Sequence, residues 1–587
     1  MAVSHAAPAA PPTAPSPLDD RGLGLTHKQI LVVMSGLMLG MLLAALDQTI
    51  VTTALQTIAQ DFGRQDLYSW VLTSYLLTST ASTPLYGKLS DLYGRKLIFQ
   101  ASIVIFLFGS VLCGASQSML QLVIFRGVQG LGAGGLISLA LAIIGDIIPP
   151  RDRGKYQGYF GAVFGSASVI GPVLGGTLTQ SVDWRWVFYV NIPLGIVALV
   201  VINRVLHLPV VRRKVSIDWT GAALLVVGVS LLLIAVQDSG RAARISGGNG
   251  LLMAAGAAVL VGFVLWERKA VEPVLPLRLF RGSVFRVTSG LSFVTGAVMF
   301  GVIIFLPQYM QIVRGASPTA AGLRLLPLMA GLLLTSITSG RIISRVGRYK
   351  AFVVAGTAIA AFGMFLLSRI QVDTSAVTLA GYMFVMGFGL GLFMQTTVLA
   401  IQNAVDRTDL GVATSTATFF RTLGGAIGAA VLGAILLAQQ RHELIARLGP
   451  GAAGTPAAGN GVRGGLDGLP AAVQTAVRQA FTDSMTHAYR VALPVAALAF
   501  VLALLLRDLR LRGAAAPAAG GAGNPGVELR GTPGAELRGT PGAELPGTPG
   551  AALEEAAGAA LEEAAGAALE EAAGARTAST EPALPPQ

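Results

Sequence analysis

Asp47 is the only charged residue between Lys28 and Asp61, in the run Leu46-Asp47-Gln-Thr-Ile-Val-Thr-Thr-Ala-Leu55. An ionised carboxylate inside so apolar a stretch is costly unless it is paired or hydrated. Burial favours the neutral acid and a nearby cation favours the ionised one, so Asp47 is a candidate for taking up and releasing a proton. A packing aspartate satisfied by hydroxyls such as that of Thr49 is the alternative. Arg126 and Arg421 are likewise lone charges in apolar runs. Arg126 stands about eight residues, or roughly 12 Å of helical rise, from one end of its run. Asp47 precedes Asp61, placed just beyond its own run, by about fourteen residues, so both charges fall in the outer half to the middle of a bilayer. Arg126 can serve as a charge partner or can bond helix carbonyls and hold a bundle together. Arg421, in Phe419-Phe420-Arg421-Thr-Leu-Gly424-Gly425, can line a cavity, neutralise an acid or be satisfied by backbone.

The elements that must carry these residues are membrane helices. The 587 residues are 53% hydrophobic and only 12% charged, about half the charged share usual in soluble domains. The 73 glycines suit close helix packing in a membrane. Stretches of about twenty apolar residues can span the hydrocarbon core. Fourteen are expected: 29–54, 68–86, 97–116, 119–147, 155–179, 185–206, 217–237, 249–267, 286–310, 320–343, 350–369, 376–400, 411–438 and 488–507.

A ten-residue turn, Gly87-Lys-Leu-Ser-Asp91-Leu-Tyr-Gly94-Arg95-Lys96, recurs in weaker form at Gly340-Arg341-Ile-Ile-Ser344-Arg345-Val-Gly347-Arg348. Duplicated turns imply a duplicated bundle with a site near its midplane. The expected fold class is therefore an all-α membrane protein of two pseudo-symmetric six-helix bundles, 29–206 and 286–507, with two inserted helices over 217–267. With the N-terminus inside, all seven lysines fall on the cytoplasmic side, together with Arg95, Arg151, Arg153, Arg212, Arg213, Arg268, Arg345 and Arg348. Both termini are then cytoplasmic. Residues 1–28 are expected to be a disordered N-terminus without a signal-peptide core, and 439–487 an external loop with weak helical character near 470–482. Residues 513–587 form a low-complexity tail of repeated octads, read as disordered.

These motifs resemble the fourteen-helix drug:proton antiporter branch of the major facilitator superfamily. The likeness spans about 29–507. It is carried by Leu46-Asp47 and the residues after it, by Gly87 to Lys96, and by Ile124-Phe-Arg126-Gly127-Val-Gln129-Gly130-Leu-Gly132-Ala-Gly134. Gly171-Pro172-Val-Leu-Gly175-Gly176 and Trp184-Arg185-Trp186-Val-Phe-Tyr-Val-Asn191-Ile-Pro193 complete it. The usual Asn and Pro of the helix-1 signature are here Thr52 or Thr53 and Gln56.

The resemblance implies neighbouring helices 1 and 4, and hence a proton-coupling pair of Asp47 and Arg126. It implies a conformational latch built from Gly87, Asp91, Gly94, Arg95, Lys96 and Asp146, where a solvated turn that only fixes topology is the plainer reading. It also makes Gly171, Pro172, Gly175 and Gly176 the antiporter motif, which physically is a packing seam with a kink. Ser344 replaces the aspartate in the second turn, so the latch is expected to be asymmetric.

The function expected is proton-coupled export of small amphipathic compounds by a monomer in the plasma membrane. Alternatives are a transporter dedicated to one solute or a non-transporting receptor or scaffold. Helices 9 to 14 carry no intramembrane Asp or Glu, which favours neutral or singly charged substrates. No phosphate-binding Gly-x4-Gly-Lys-Ser/Thr loop and no metal spacing among the five histidines is present. The drive expected is a proton gradient, with no cofactor, no metal and no enzymatic activity. The basic residues are spread between apolar runs, which argues against a nucleic-acid partner. Cys113 is a lone thiol inside an apolar run, and a packing role is expected of it.

Overall fold

Apolar runs of membrane length can satisfy their backbone groups only within themselves, which dictates helices. The computed structural model describes residues 27–64, 67–149, 152–206, 218–242, 247–449 and 470–511, and contains no strand among them. The helices are α1 (His27–Asp61), α2 (Tyr68–Tyr93), α3 (Arg95–Gly114), α4 (Met119–Ile147), α5 (Arg153–Ser181), α6 (Trp186–Tyr189), α7 (Asn191–Val205), α8 (Trp219–Ala242) and α9 (Gly247–Glu267). They continue as α10 (Ser283–Ile312), α11 (Pro318–Leu323), α12 (Leu326–Val346), α13 (Lys350–Leu367), α14 (Ala376–Ala404), α15 (Leu410–Leu448) and α16 (Ala471–Leu505). Residues 1–26 of the expected disordered N-terminus and the low-complexity tail, together with His207, Arg151, Arg212, Arg213 and Lys214, lie outside the described residues, while His27 and Lys28 already belong to α1.

Thirteen helical stretches among the described residues are long and apolar enough to cross a membrane, against the fourteen expected. The one missing is α2. It is helical over 26 residues, but nine of the fifteen residues from Ser69 to Thr83 carry hydroxyls. Several of those hydroxyls spend their donors on carbonyls of the preceding turn, as Thr83 does on Ser79.

Four expectations need correction. Asp61 is the last residue of α1 and does not stand beyond it. The sixth expected span is broken at Val190 into α6 and α7, and the tenth is broken at Arg324–Leu325 into α11 and α12. The expected loop 439–487 is helical at both ends. α15 runs on to Leu448 and α16 begins at Ala471, and the two extensions pack through Leu444, Val477 and Ala480. Arg447 ties them together, reaching Glu443 and Asp483. The run of apolar residues stops short of these helix ends, but alanine, glutamine and arginine are good helix formers and let both helices continue.

Hydrogen bonds gather one set of helix ends together. His27 of α1 meets Tyr156 of α5 at 2.6 Å. Lys96 of α3 donates to the Asn203 carbonyl of α7 at 2.6 Å, and Lys350 of α13 to the Leu504 carbonyl of α16 at 3.0 Å. This end carries Lys88, Arg95, Lys155 and Lys350 and is called the basic end below. The apolar core is divided. α1–α7 share two adjoining clusters, α10–α16 share another, and α8 and α9 form a small one that rests on Leu77 and Leu85 of α2 and on Phe419 and Phe420 of α15.

Candidate functional site

Asp47 and Arg126 meet. The guanidinium donates to Asp47 Oδ2 at 2.6 Å, and neither side chain has any solvent exposure. Thr49, the alternative partner for Asp47, instead donates to the carbonyls of Leu46 and Ala167, at 2.9 and 3.0 Å. The second carboxylate oxygen, Oδ1, accepts from Gln129 at 2.8 Å and from Asn191 at 3.1 Å. Gln129 is one helical turn beyond Arg126 and also accepts from that guanidinium, at 2.8 Å. Ser110 of α3 accepts from both amides and donates to the Phe188 carbonyl. The Tyr75 ring lies 4.2 Å from the guanidinium carbon, adding cation–π attraction. A buried ion pair offsets its desolvation only with good geometry and supporting hydrogen bonds; the carboxylate here has both, while Arg126 Nη2 and Asn191 Oδ1 are buried without a partner. Cys113 lies in the same shell, fully buried, 3.5 Å from Gln129.

The amides were not legible as carboxylate partners in the sequence. Gln129 and Asn191 stand inside motifs quoted only for the family resemblance, and the signal that identifies them is simply an amide in an otherwise apolar helix.

The expected latch residues also come together, at the basic end. Arg95 pairs with Asp91 at 2.5 Å and with Asp146 at 2.6 Å. Asp91 further accepts from the Val412 backbone N–H at 3.0 Å, so the carboxylate caps the N-terminus of α15, where the helix dipole favours a negative charge. Gly87 lies so close to Ser415 and the Gly411 carbonyl that a methyl group there would overlap them. Gly94 has φ of +95°, a conformation that glycine supplies without steric cost. The second turn repeats this division of labour, since Gly340 presses on the Gly154 backbone of α5 and Gly347 has φ of +73°. Lys96 stands apart from the cluster, on Asn203. Ser344 donates to the Gly340 carbonyl of its own helix at 2.9 Å, and Arg348, the counterpart of Arg95, meets Asp508 instead, at 3.8 Å.

Two residues extend the closure beyond what the sequence suggested. Arg153, read only as a topology marker, is buried and bonds the carbonyls of Ile148 and Gly145, with Gln402 of α14 at 3.5 Å. Gln402 in turn donates to the Leu141 carbonyl of α4 at 3.0 Å.

The Gly171–Gly176 seam has two faces. A methyl group at Gly171 or Gly175 would overlap Thr49 or Thr53 of α1, whereas one at Gly176 would stand 3.6 Å from Thr319, an ordinary van der Waals contact, and Pro172 abuts Gly322 of α11. Gly175→Ile is therefore expected to force α1 from α5, lowering the melting temperature and abolishing function, while Gly176→Ala is tolerated. Thermal unfolding of the two purified variants checks this, and equal effects would contradict it. Arg421 is buried in α15 beside α10, its carbonyl against Gly296. Among the described residues no group of three or more His, Cys, Asp or Glu side chains is placed to hold a metal.

Comparison with known proteins agrees with this architecture. Residues 37–429 match the model of the Major Facilitator Superfamily. An uncharacterized MFS-type transporter of Mycobacterium tuberculosis is 40% identical over 86% of this chain and 74% of its own length. From Bacillus subtilis, the multidrug transporter protein MdtP is 37% identical (76% and 82% covered) and multidrug resistance protein 3 is 36% identical (82% and 96% covered). The solved structure of the MFS proton:xylose symporter XylE is 15% identical, with a TM-score of 0.57, over 82% of this chain and 97% of that one, which is a likeness of fold alone. With its helical bundle, its thirteen membrane-length stretches and this family match, the chain is a multi-pass membrane transporter of the Major Facilitator Superfamily and not an enzyme.

Proposed function

We propose that this transporter is a proton-coupled antiporter that exports small amphipathic compounds from the cytoplasm by alternating access. The observation that carries the reading is the Asp47–Arg126 pair, wholly enclosed and held by two amides. A scaffold has no need of a titratable pair at that depth, and a pump driven by a proton gradient does. The names of the relatives, a multidrug transporter and a multidrug resistance protein among them, support export of foreign compounds.

In this reading α2 is the fourteenth span, the basic end is cytoplasmic with both termini inside, and the protein works as a monomer. Asp47 ionised, the pair intact and the basic end shut then make up the state that awaits a proton from outside. Protonation of Asp47 cancels its attraction for Arg126, loosens α1 from α4, and favours substrate release and return to the inward-open form. In the inward-open form Asp47 loses its proton to the cytoplasm and substrate enters.

The test is accumulation of an amphipathic fluorescent cation and of a matched neutral and anionic dye by everted membrane vesicles. Collapse of the proton gradient with an ionophore is expected to stop accumulation of whichever dye is carried. Accumulation that survives the ionophore would sink the coupling.

The latch gives a second expectation. Asp91→Asn keeps an oxygen for Val412 but loses the charge that pairs with Arg95, so the basic end should open more often. Since Cys113 is buried, a Ser415→Cys reporter facing Gly87 can be labelled cleanly with an impermeant maleimide. Labelling from the basic side should be faster in the Asp91→Asn background, and an unchanged rate would leave the turn a mere topology marker.

A further inference from the structure

Arg95, Arg126 and Arg153 all have acceptors, but Arg421 does not. Only 8% of its surface is exposed, and no carboxylate, carbonyl or hydroxyl among the described residues accepts from its guanidinium. A guanidinium cannot shed its proton, so a bare one inside an apolar bundle leaves a cost for something else to offset.

Its surroundings indicate what that is. Arg421 is eleven residues from the start of α15, roughly 16 Å into the bundle. Its backbone carbonyl abuts Gly296 of α10. Side chains on a helix lean toward its N-terminus, so Arg421 leans toward the basic end, in the direction of Ser289 on α10. On α15's other flank, the contacts of Gly87 with Ser415 and of Asp91 with Val412 set an antiparallel register. That register brings Thr80 of α2 level with Thr422, next to Arg421. The hydroxyls of Thr80 and Ser289 are both buried and without a hydrogen-bond partner. One zone of the bundle therefore holds a cation and two hydroxyls without partners, on α15 and two helices packed against it; the Gln402–Thr414 contact sets the unpartnered Gln395 Oε1 of α14 level with them, and none of these groups carries a negative charge. The opposite situation, donors already spent on carbonyls, is the rule for the other hydroxyls of α10 and α15, such as Thr288, Thr295 and Thr418.

We propose that Arg421 anchors an anionic group, so that the ligand is an amphipathic compound carrying a single carboxylate, phenolate or sulfonate. Ser289 and Thr80 supply further donors. One unpaired cation takes one negative charge and repels dications. The proposal narrows the export reading to a substrate class, and it rests on that reading only in taking the bound compound to be the one transported.

Equilibrium binding to the purified full chain separates the two claims. The probes are 1-naphthylacetate, its uncharged amide and 1-naphthylethylammonium, each titrated by ligand-induced thermal stabilisation of the wild type, Arg421→Lys and Arg421→Gln. The carboxylate is expected to bind the wild type roughly tenfold or more tighter than the amide, the worth of a charge-assisted hydrogen bond. That preference should persist, weakened, in Arg421→Lys and vanish in Arg421→Gln. Because nothing in the unliganded protein pairs with Arg421, Arg421→Gln should fold at least as stably as the wild type. A wild type that shows no preference for the carboxylate, or a preference intact in Arg421→Gln, overturns the proposal. If the wild type carries neutral or cationic dyes in a gradient-dependent way but shows no carboxylate preference, the anchor fails and the export reading stands. If the carboxylate binds through Arg421 while transport ignores the gradient, the anchor stands and the coupling fails.

Discussion

Asp47→Asn is expected to leave a folded, inserted transporter that no longer uses a proton gradient. Asparagine has nearly the same shape and keeps one oxygen to accept from Gln129, Asn191 or Arg126, so most of the local hydrogen bonding survives. What it loses is the ability to change charge. Accumulation against a gradient should fall to the level seen with an ionophore, while downhill exchange of substrate for substrate, which needs no net proton movement, continues. Vesicle accumulation and counterflow, measured on the same preparation, check both halves of the expectation. Gradient-driven accumulation that persists in Asp47→Asn assigns coupling to another residue, and loss of counterflow as well makes Asp47 a packing or binding residue.

The second large effect concerns stability, and its two arms are unequal. Removing one partner of a buried ion pair typically costs about 3–5 kcal/mol, because the other is left uncompensated. Asp47→Leu should show that cost in full, since Arg126 cannot neutralise itself. Arg126→Leu should cost less, since the orphaned Asp47 can take up a proton and become a neutral acid. The double variant Asp47→Leu/Arg126→Leu removes both charges and should recover much of the lost stability, with no transport at all. Thermal unfolding of the three variants in one detergent measures this. Additive losses in the double variant would mean that the two residues are not energetically a pair.

The sequence shows the chemistry that is expensive and hides the chemistry that is cheap. Asp47 and Arg126 stood out because each is a lone charge in an apolar run, and the resemblance, by making helices 1 and 4 neighbours, favoured their meeting over bonds to hydroxyls or carbonyls. Gln129 and Asn191 cost less to bury, so nothing in the pattern distinguished them from polar residues that bond their own helix. Asp91 and Arg95 were singled out by the resemblance of their glycine-bounded turn to the family's loop motif. Their bond to Val412 was not, because a backbone N–H is the same at every position and only the docking of α2 on α15 selects it. Helix number was nearly legible from hydropathy. The helix α2 forms where expected but is less apolar than the other thirteen, and the expected edges fell short beyond 438 and before 488, where helix propensity and not apolarity carries the chain on. The repeated turn was legible as a pair of glycines seven apart. The structure divides their work, the first permitting close approach across the bundle and the second supplying a positive φ.

The central claim is that Asp47 exchanges a proton as substrate comes and goes. Its most direct test is proton release into weakly buffered solution when a carried compound is added to the purified protein, in the wild type and in Asp47→Asn side by side. The account predicts saturable release from the wild type, approaching one proton per bound substrate, and none from Asp47→Asn with binding retained. Equal release from the two proteins would contradict it.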